Sequence, residues 1–223
     1  MDINTFRKIL PSMIDLSCVG AANTHEEIKE MAEMAVKLRC AAVFAMPANT
    51  EFLCSLMQGT GIAVGGVVGF PSGCEETDTK LFIAEKLLKY GCSELDMVIN
   101  QSWLKSGMNE EVIADISAVS ALSGTIPLKV ILEVNNLTDE QIQRGCRLAE
   151  RSGAAFVKSD TGWHKKPTEL KSIQLIRASV SEQVKVKAAG GIKDIKTAYD
   201  MYCAGCTRFG ESVHSAKILL SEN

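Results

Sequence analysis

Three charged residues stand in stretches that otherwise read as buried strands. Asp96 lies in Leu95-Asp96-Met97-Val98-Ile99-Asn100, Lys158 ends Ala155-Phe156-Val157-Lys158, and Lys187 sits in Val184-Lys185-Val186-Lys187-Ala188-Ala189. Parallel strands covered on both faces are near-continuous hydrophobic runs, because a buried charge without a partner is costly. Charges in such runs require either a partner or a task. Glu94 shares the parity of Asp96 and Asn100, and Lys129 and Glu133 share one face of Leu128-Lys129-Val130-Ile131-Leu132-Glu133.

Two lysines brought together define a chemistry. Each ammonium disfavours the charge on the other, and partial burial lowers the pKa further. The neutral amine so obtained attacks a carbonyl and forms an iminium, which acidifies the neighbouring carbon and opens the way to an enamine. A carboxylate such as Asp96 then has the work of a general acid and base, moving protons through water as the carbinolamine forms and the enamine is protonated. None of this calls for a metal. The bland alternative is that the charges form satisfied ion pairs or lie at frayed strand ends.

The elements that must position these groups alternate along the chain. Strand candidates are Met13–Ser17, Ala41–Met46, Ile62–Gly69, Ser93–Asn100, Leu128–Glu133, Ala155–Lys158, Val184–Ala189 and Thr207–Gly210. Between them, His25–Leu38, Thr77–Tyr90, Asn109–Ser120, Thr138–Arg151, Thr168–Ala178 and Ile195–Ala204 carry apolar residues three and four apart, as amphipathic helices do. Thr138 with Gln141 reads as a capping box, and Gly91, Gly153 and Gly205 stand just past helix ends. Alternation of this kind predicts parallel strands with crossover helices. A (β/α)8 TIM barrel explains the charges best, because inward residues near its strand ends line the active site. Asp96, Lys158 and Lys187 then converge on one cavity. A doubly wound open sheet is the competing fold, weakened by the lack of G-x-G-x-x-G after the first strand.

The 223 residues suit one domain, since such barrels run to about 250. No linker or composition shift divides residues 1–223, so a single domain is expected. A formal net charge of -3 provides no basic field for nucleic acid or an anionic membrane. No leader-like N-terminus or long apolar window is present, so a cytoplasmic protein is expected. The cysteines are scattered, and the pair Cys203 and Cys206 lacks a second pair or a nearby His, which argues against a disulfide framework or zinc. His25, His164 and His214 are too dispersed for a metal site, and none is expected. Soluble enzymes are commonly homodimers, and on that base rate a homodimer is expected.

From about Met13 to Lys217 the chain resembles the deoxyribose-phosphate aldolase family. The resemblance is carried by Gly69-Phe70-Pro71-Ser72-Gly73, Glu94-Leu95-Asp96-Met97-Val98-Ile99-Asn100, Leu128-Lys129-Val130-Ile131-Leu132-Glu133, Phe156-Val157-Lys158-Ser159-Asp160-Thr161-Gly162, Val186-Lys187-Ala188-Ala189-Gly190-Gly191-Ile192 and Arg208-Phe209-Gly210. It implies that Lys158 is the Schiff-base lysine, Lys187 the lysine that lowers its pKa, and Asp96 the proton relay. It also implies reversible, cofactor-free cleavage of 2-deoxy-D-ribose 5-phosphate to glyceraldehyde 3-phosphate and acetaldehyde. The phosphate is expected near Thr161 and Gly162, Gly190 and Gly191, and Gly210 and Ser212. Asp15, Ser17 and Glu133 are expected at substrate hydroxyls.

Several positions depart from that family's pattern. Ser159-Asp160-Thr161-Gly162 replaces Thr-Ser-Thr-Gly, with Trp163 and His164 following, and Asp160 is expected to bind a substrate hydroxyl or to raise the pKa of Lys158. Glu211 puts an acid near the expected phosphate, Val213 lacks a hydroxyl, and Lys165 and Lys166 are the nearby source of positive charge. Phe44 and Met46 make the pocket more apolar, and the chain ends Ser221-Glu222-Asn223 without the tyrosine some relatives carry. These differences leave open a Schiff-base aldolase for another sugar phosphate, or a non-catalytic sugar-phosphate-binding barrel.

Overall fold

Short apolar, β-branched runs become strands here because most are buried on both faces, and the amphipathic segments between them cover the outside. The computed structural model describes residues 1–164 and 166–221. Among these residues the strands are β1 (Ile14–Cys18), β2 (Ala42–Ala45), β3 (Ala63–Val68), β4 (Glu94–Val98), β5 (Leu128–Ile131), β6 (Phe156–Lys158), β7 (Lys185–Ala189) and β8 (Cys206–Ser212). They pair in sequence order, all parallel, and β8 closes on β1. Closure decides for the barrel and against an open sheet.

The helices are α1 (Ile3–Ile9), α2 (His25–Leu38), α3 (Pro47–Met57), α4 (Thr77–Tyr90), α5 (Gln101–Lys105), α6 (Asn109–Ser123), α7 (Asp139–Arg151), α8 (Leu170–Ser179), α9 (Ile195–Cys203) and α10 (Val213–Ser221). The six helices read from periodicity are all present. In α7 the Thr138 side chain accepts from the Gln141 amide while Gln141 caps back, as the capping box requires. α1, α3, α5 and α10 go beyond those six. α3 is introduced by Pro47 rather than by a side-chain cap, and α5 is a single short turn on Asn100. No helix among the described residues is long and apolar enough to cross a membrane.

Strand parity divides the interior in two. Leu16, Val43, Leu95, Val130, Val157, Val186 and Phe209 point outward and build the main core against the helices. The opposite parity points into the barrel. There Ala42, Phe44, Val67, Phe70, Val98 and Ile131 form a second apolar cluster, and Asp15, Glu94, Asp96, Lys129, Lys158, Lys187 and Arg208 form a charged one.

Candidate active site

Lys158 ends β6 and Lys187 lies opposite it in register on β7, so pairing of adjacent parallel strands brings the two ammonium groups to one level of the barrel. Asp96 on β4 joins them. Its Oδ2 accepts from Lys158 Nζ at 2.9 Å and from Lys187 Nζ at 2.8 Å. Its Oδ1 accepts from Lys129 Nζ at 2.9 Å. Three strands chosen from the sequence for their charged residues thus meet at one carboxylate.

Two further cations complete the cluster. Lys129 also lies 2.6 Å from Glu94 and 3.4 Å from Asp15, and Lys187 lies 2.6 Å from Asp15. Arg208 bridges Asp15 and Glu94, the latter at 2.9 Å. Four cationic side chains against three carboxylates leave one positive charge in excess, and a neutral Lys158 removes it. Sequence reading noted Lys129 as a charge inside a strand but assigned it no task, and Arg208 went unremarked within its motif. The signal was present in both cases, since each is a charge at an inward strand position.

The electrostatics follow from this packing. Burial pushes the Lys158 ammonium down, the Lys187 charge adds to that, and together they outweigh the pull of Asp96, leaving Lys158 at about 8. Burial alone would raise Asp96, but Lys129, Lys158 and Lys187 hold it well below the ordinary carboxylate range. Asp15 is likewise held at about 2, because Lys187, Lys129 and Arg208 overrule its burial. Lys129 is buried too, yet Asp96, Asp15 and Glu94 keep its pKa above the ordinary value. Lys158 is thus moved toward neutrality, while Lys129 is moved the other way.

Lys158 and Lys187 open into a cavity of about 1030 Å³ at the carboxyl ends of the strands. Asp15, Ser17, Thr161, Gly162, Gly190, Gly191, Gly210 and Ser212 line it. Gly190 and Gly191 both hold left-handed backbone angles, φ +96° and +73°, and a Cβ on Gly191 would stand 2.7 Å from Pro167. Gly210 leaves room for the lysine, since its Cβ would meet Lys187 Cε at 3.3 Å. Ser212 and Ser215 cap the start of α10, each hydroxyl accepting from the other's amide.

Two expected contacts lie elsewhere. Glu133 and Asp160 are absent from the cavity lining and instead form a buried acidic pair behind the end of β6. Asp160 accepts from Asn135 Nδ2 at 3.2 Å and from the Thr168 hydroxyl, so its oxygens are taken by protein donors rather than held out to a substrate hydroxyl. Glu133 accepts from the Thr161 amide at 3.2 Å, and burial together with Asp160 pushes its pKa up to about 7. The pair therefore shapes the loop carrying Thr161 and Gly162. Thr168, which ties that loop to Asp160 and the Ala189 carbonyl, was not among the sequence candidates.

The positive charge expected from the loop comes from other residues. Lys165 lies outside the described residues, as do Glu222 and Asn223 of the tail, and Lys166 pairs with Glu169 at 3.1 Å on the surface. Lys193 and Lys217 line the cavity instead, and neither has an ion-pair partner among the described residues. Burial pushes Glu211 up to about 8, so near neutrality it is a carboxylic acid rather than an anion beside the glycines. Trp163 crosses the mouth, its indole N–H donating to the Val19 carbonyl at 3.1 Å. Among the described residues no three His, Cys, Asp or Glu side chains converge as a metal site would require.

Comparison with known proteins gives a consistent family. Residues 12–208 match the family profile described as DeoC/LacD family aldolase. A deoxyribose-phosphate aldolase from Sinorhizobium medicae is 42% identical over 214 residues, covering 96% of this chain and 86% of the relative. One from Methanothermobacter thermautotrophicus is 38% identical over 215 residues, covering 95% and 94%. A solved structure described as a tetrameric deoxyribose phosphate aldolase from Aeropyrum pernix superposes with a TM-score of 0.88 at 26% identity, covering 96% of this chain and 90% of that one.

Proposed function

Because the chain belongs to the DeoC/LacD family of aldolases, we propose that it is a carbon–carbon lyase that reversibly cleaves 2-deoxy-D-ribose 5-phosphate through a Schiff base on Lys158. The observation that carries this reading is a lysine held at about 8 beside Lys187 and Asp96 and open to a cavity. In the cleavage direction the neutral Lys158 amine adds to the C1 aldehyde, and loss of water gives the iminium. Removal of the C3 hydroxyl proton breaks the C2–C3 bond, its electrons pass into the enamine, and glyceraldehyde 3-phosphate leaves. Protonation of the enamine at C2 and hydrolysis then release acetaldehyde and restore the amine. Asp96 and Lys187, hydrogen-bonded in a row with Lys158, are the groups placed to carry these protons, with water reaching the substrate atoms.

The glycine-rich side of the mouth suits the phosphate. Gly190 and Gly191 allow close backbone approach, α10 begins at this side of the lining, and Lys193 and Lys217 supply charge. Asp15 and Ser17 lie within the same lining for substrate hydroxyls. The eight cysteines are free thiols, which supports a reducing, cytoplasmic setting. A homodimer belongs to the same reading on the base rate for soluble enzymes, and a relative described as tetrameric supports self-association without favouring two subunits. Light scattering on the purified chain measures that state.

Borohydride trapping with acetaldehyde and, separately, deoxyribose 5-phosphate tests the chemistry, with peptide mass spectrometry to place the adduct. Mass added at Lys158 by both is the expected result. Acetaldehyde alone would keep the Schiff base and move the substrate to another sugar. No adduct at Lys158 would overturn the aldolase reading in favour of a binding barrel.

A further inference from the structure

Facing the lysines across the barrel mouth is an apolar wall that the proton transfers do not use. Phe44 on β2 lines the cavity with Val67 and Phe70 and is 2% exposed. Its ring reaches the middle of the barrel, with its centroid 4.5 Å from Lys187 Nζ and 4.7 Å from Lys129 Nζ. The neighbouring strand makes room for it. Phe44 pairs in register with Gly65, and a Cβ at Gly65 would stand 2.1 Å from the ring carbons Cε1 and Cζ. No other residue at position 65 leaves this ring where it is.

The ring stands close to the reacting atoms. Lys158 Nζ and Lys187 Nζ meet on the same oxygen of Asp96, and Phe44 covers Lys187. Phe44, Val67 and Phe70 offer no side-chain hydrogen-bond donor or acceptor, so a hydroxylated or phosphorylated chain loses its water here without replacement. The opposite side, with its glycine amides, Ser212, Lys193 and Lys217, takes that end of the substrate. An alkyl group is what the Phe44 side can hold.

We infer that Phe44 sets the size of the carbonyl donor, its ring closing the space beside the Schiff-base carbon so that a short aldehyde such as ethanal fits and longer ones are excluded. The inference rests on the assignment of the Schiff base to Lys158. A packed apolar wall discriminates between homologues by roughly tenfold or more per methylene, so the effect lies within easy reach of measurement.

The test is the initial rate of borohydride-trapped adduct at Lys158 for ethanal, propanal, butanal and pentanal, in the full-length protein and in its Phe44→Ala and Phe44→Leu variants. Each variant is compared through its own butanal-to-ethanal ratio, so a general loss of activity cancels. The expected result is a ratio at least about tenfold higher in Phe44→Ala than in the parent, with Phe44→Leu between them. Should Phe44→Ala fail to fold by circular dichroism, the milder Phe44→Leu still decides the matter. Equal ratios in all three proteins overturn the inference, as does a shift in the pH dependence of trapping with no change in ratio, which would make Phe44 a cover for the lysine charges. Absence of any ethanal adduct at Lys158 in the parent is a different failure, because it removes the Schiff-base assignment itself.

Discussion

The chemistry of this site rests on an imbalance between neighbouring charges. Lys158, Lys187 and Lys129 all surround Asp96, and Lys158, which has Asp96 as its one carboxylate partner among the described residues, is pushed down to about 8 by burial and by the Lys187 charge. Replacing Lys187 by Met removes a repelling ammonium and frees the negative charge of Asp15 and Asp96 to act on Lys158. Both effects raise its pKa, by about one unit or more. The acid limb of the kcat/KM profile should therefore move up from near 8, and trapping by acetaldehyde at pH 7 should slow by roughly tenfold, as one pKa unit dictates. A limb that stays in place would show that Lys187 does not set the lysine's state. Sequence alone made Asp96, Lys158 and Lys187 visible, since a charge in a buried strand has few innocent explanations. It did not reveal that Asp160 turns away from the cavity, because that depends on Asn135 and Thr168, one from the loop after β5 and one from the far end of the loop after β6.

At the scale of elements, position in the barrel is set by register. Lys158 opposite Lys187, and Phe44 opposite Gly65, are consequences of how adjacent strands pair. Gly65→Ala should cost about 1–3 kcal/mol as an overpacked site, since its new carbon meets the Phe44 ring. Most of that loss should return in the double variant with Phe44→Ala, giving a coupling of about 1 kcal/mol or more in urea denaturation of the four proteins. Additive costs would mean that the two strands do not share this space. The strands were legible as short β-branched apolar runs, and the six helices by apolar residues three and four apart. α3 and α10 were harder to read, the first beginning at a proline without a side-chain cap and the second starting directly from the last residue of β8.

Over the whole molecule, the buried acids set how stability varies with pH. Glu211 and Glu133 have folded values of about 8 and about 7 against an ordinary 4.5, so between about 4.5 and 8 the native state binds more protons than the unfolded chain. Stability from these two is complete below 4.5 and is lost as pH rises through 7 and 8. Asp15 and Asp96 have lowered values, so their contribution is present above 3.8 and is lost as pH falls toward about 2, the value of Asp15. Lys158, lowered to about 8, returns some stability between 8 and 10.5. The urea midpoint should thus peak in mildly acid solution, and Glu211→Gln, neutral at every pH, should flatten the decline toward 8. An unchanged slope would show that Glu211 is ionised in the native state. None of these environments is written in the order of residues. The sequence by itself determined the alternation of strand and helix, the inward charges and the family, because these depend on local periodicity and short motifs. Tertiary structure alone decided that the sheet closes, that Lys129 and Arg208 join the charge cluster, that Glu133 and Asp160 pair away from the cavity, and that burial raises the Glu211 carboxyl. Each of those depends on which distant side chains exclude water from a group, and that is settled only when the barrel closes.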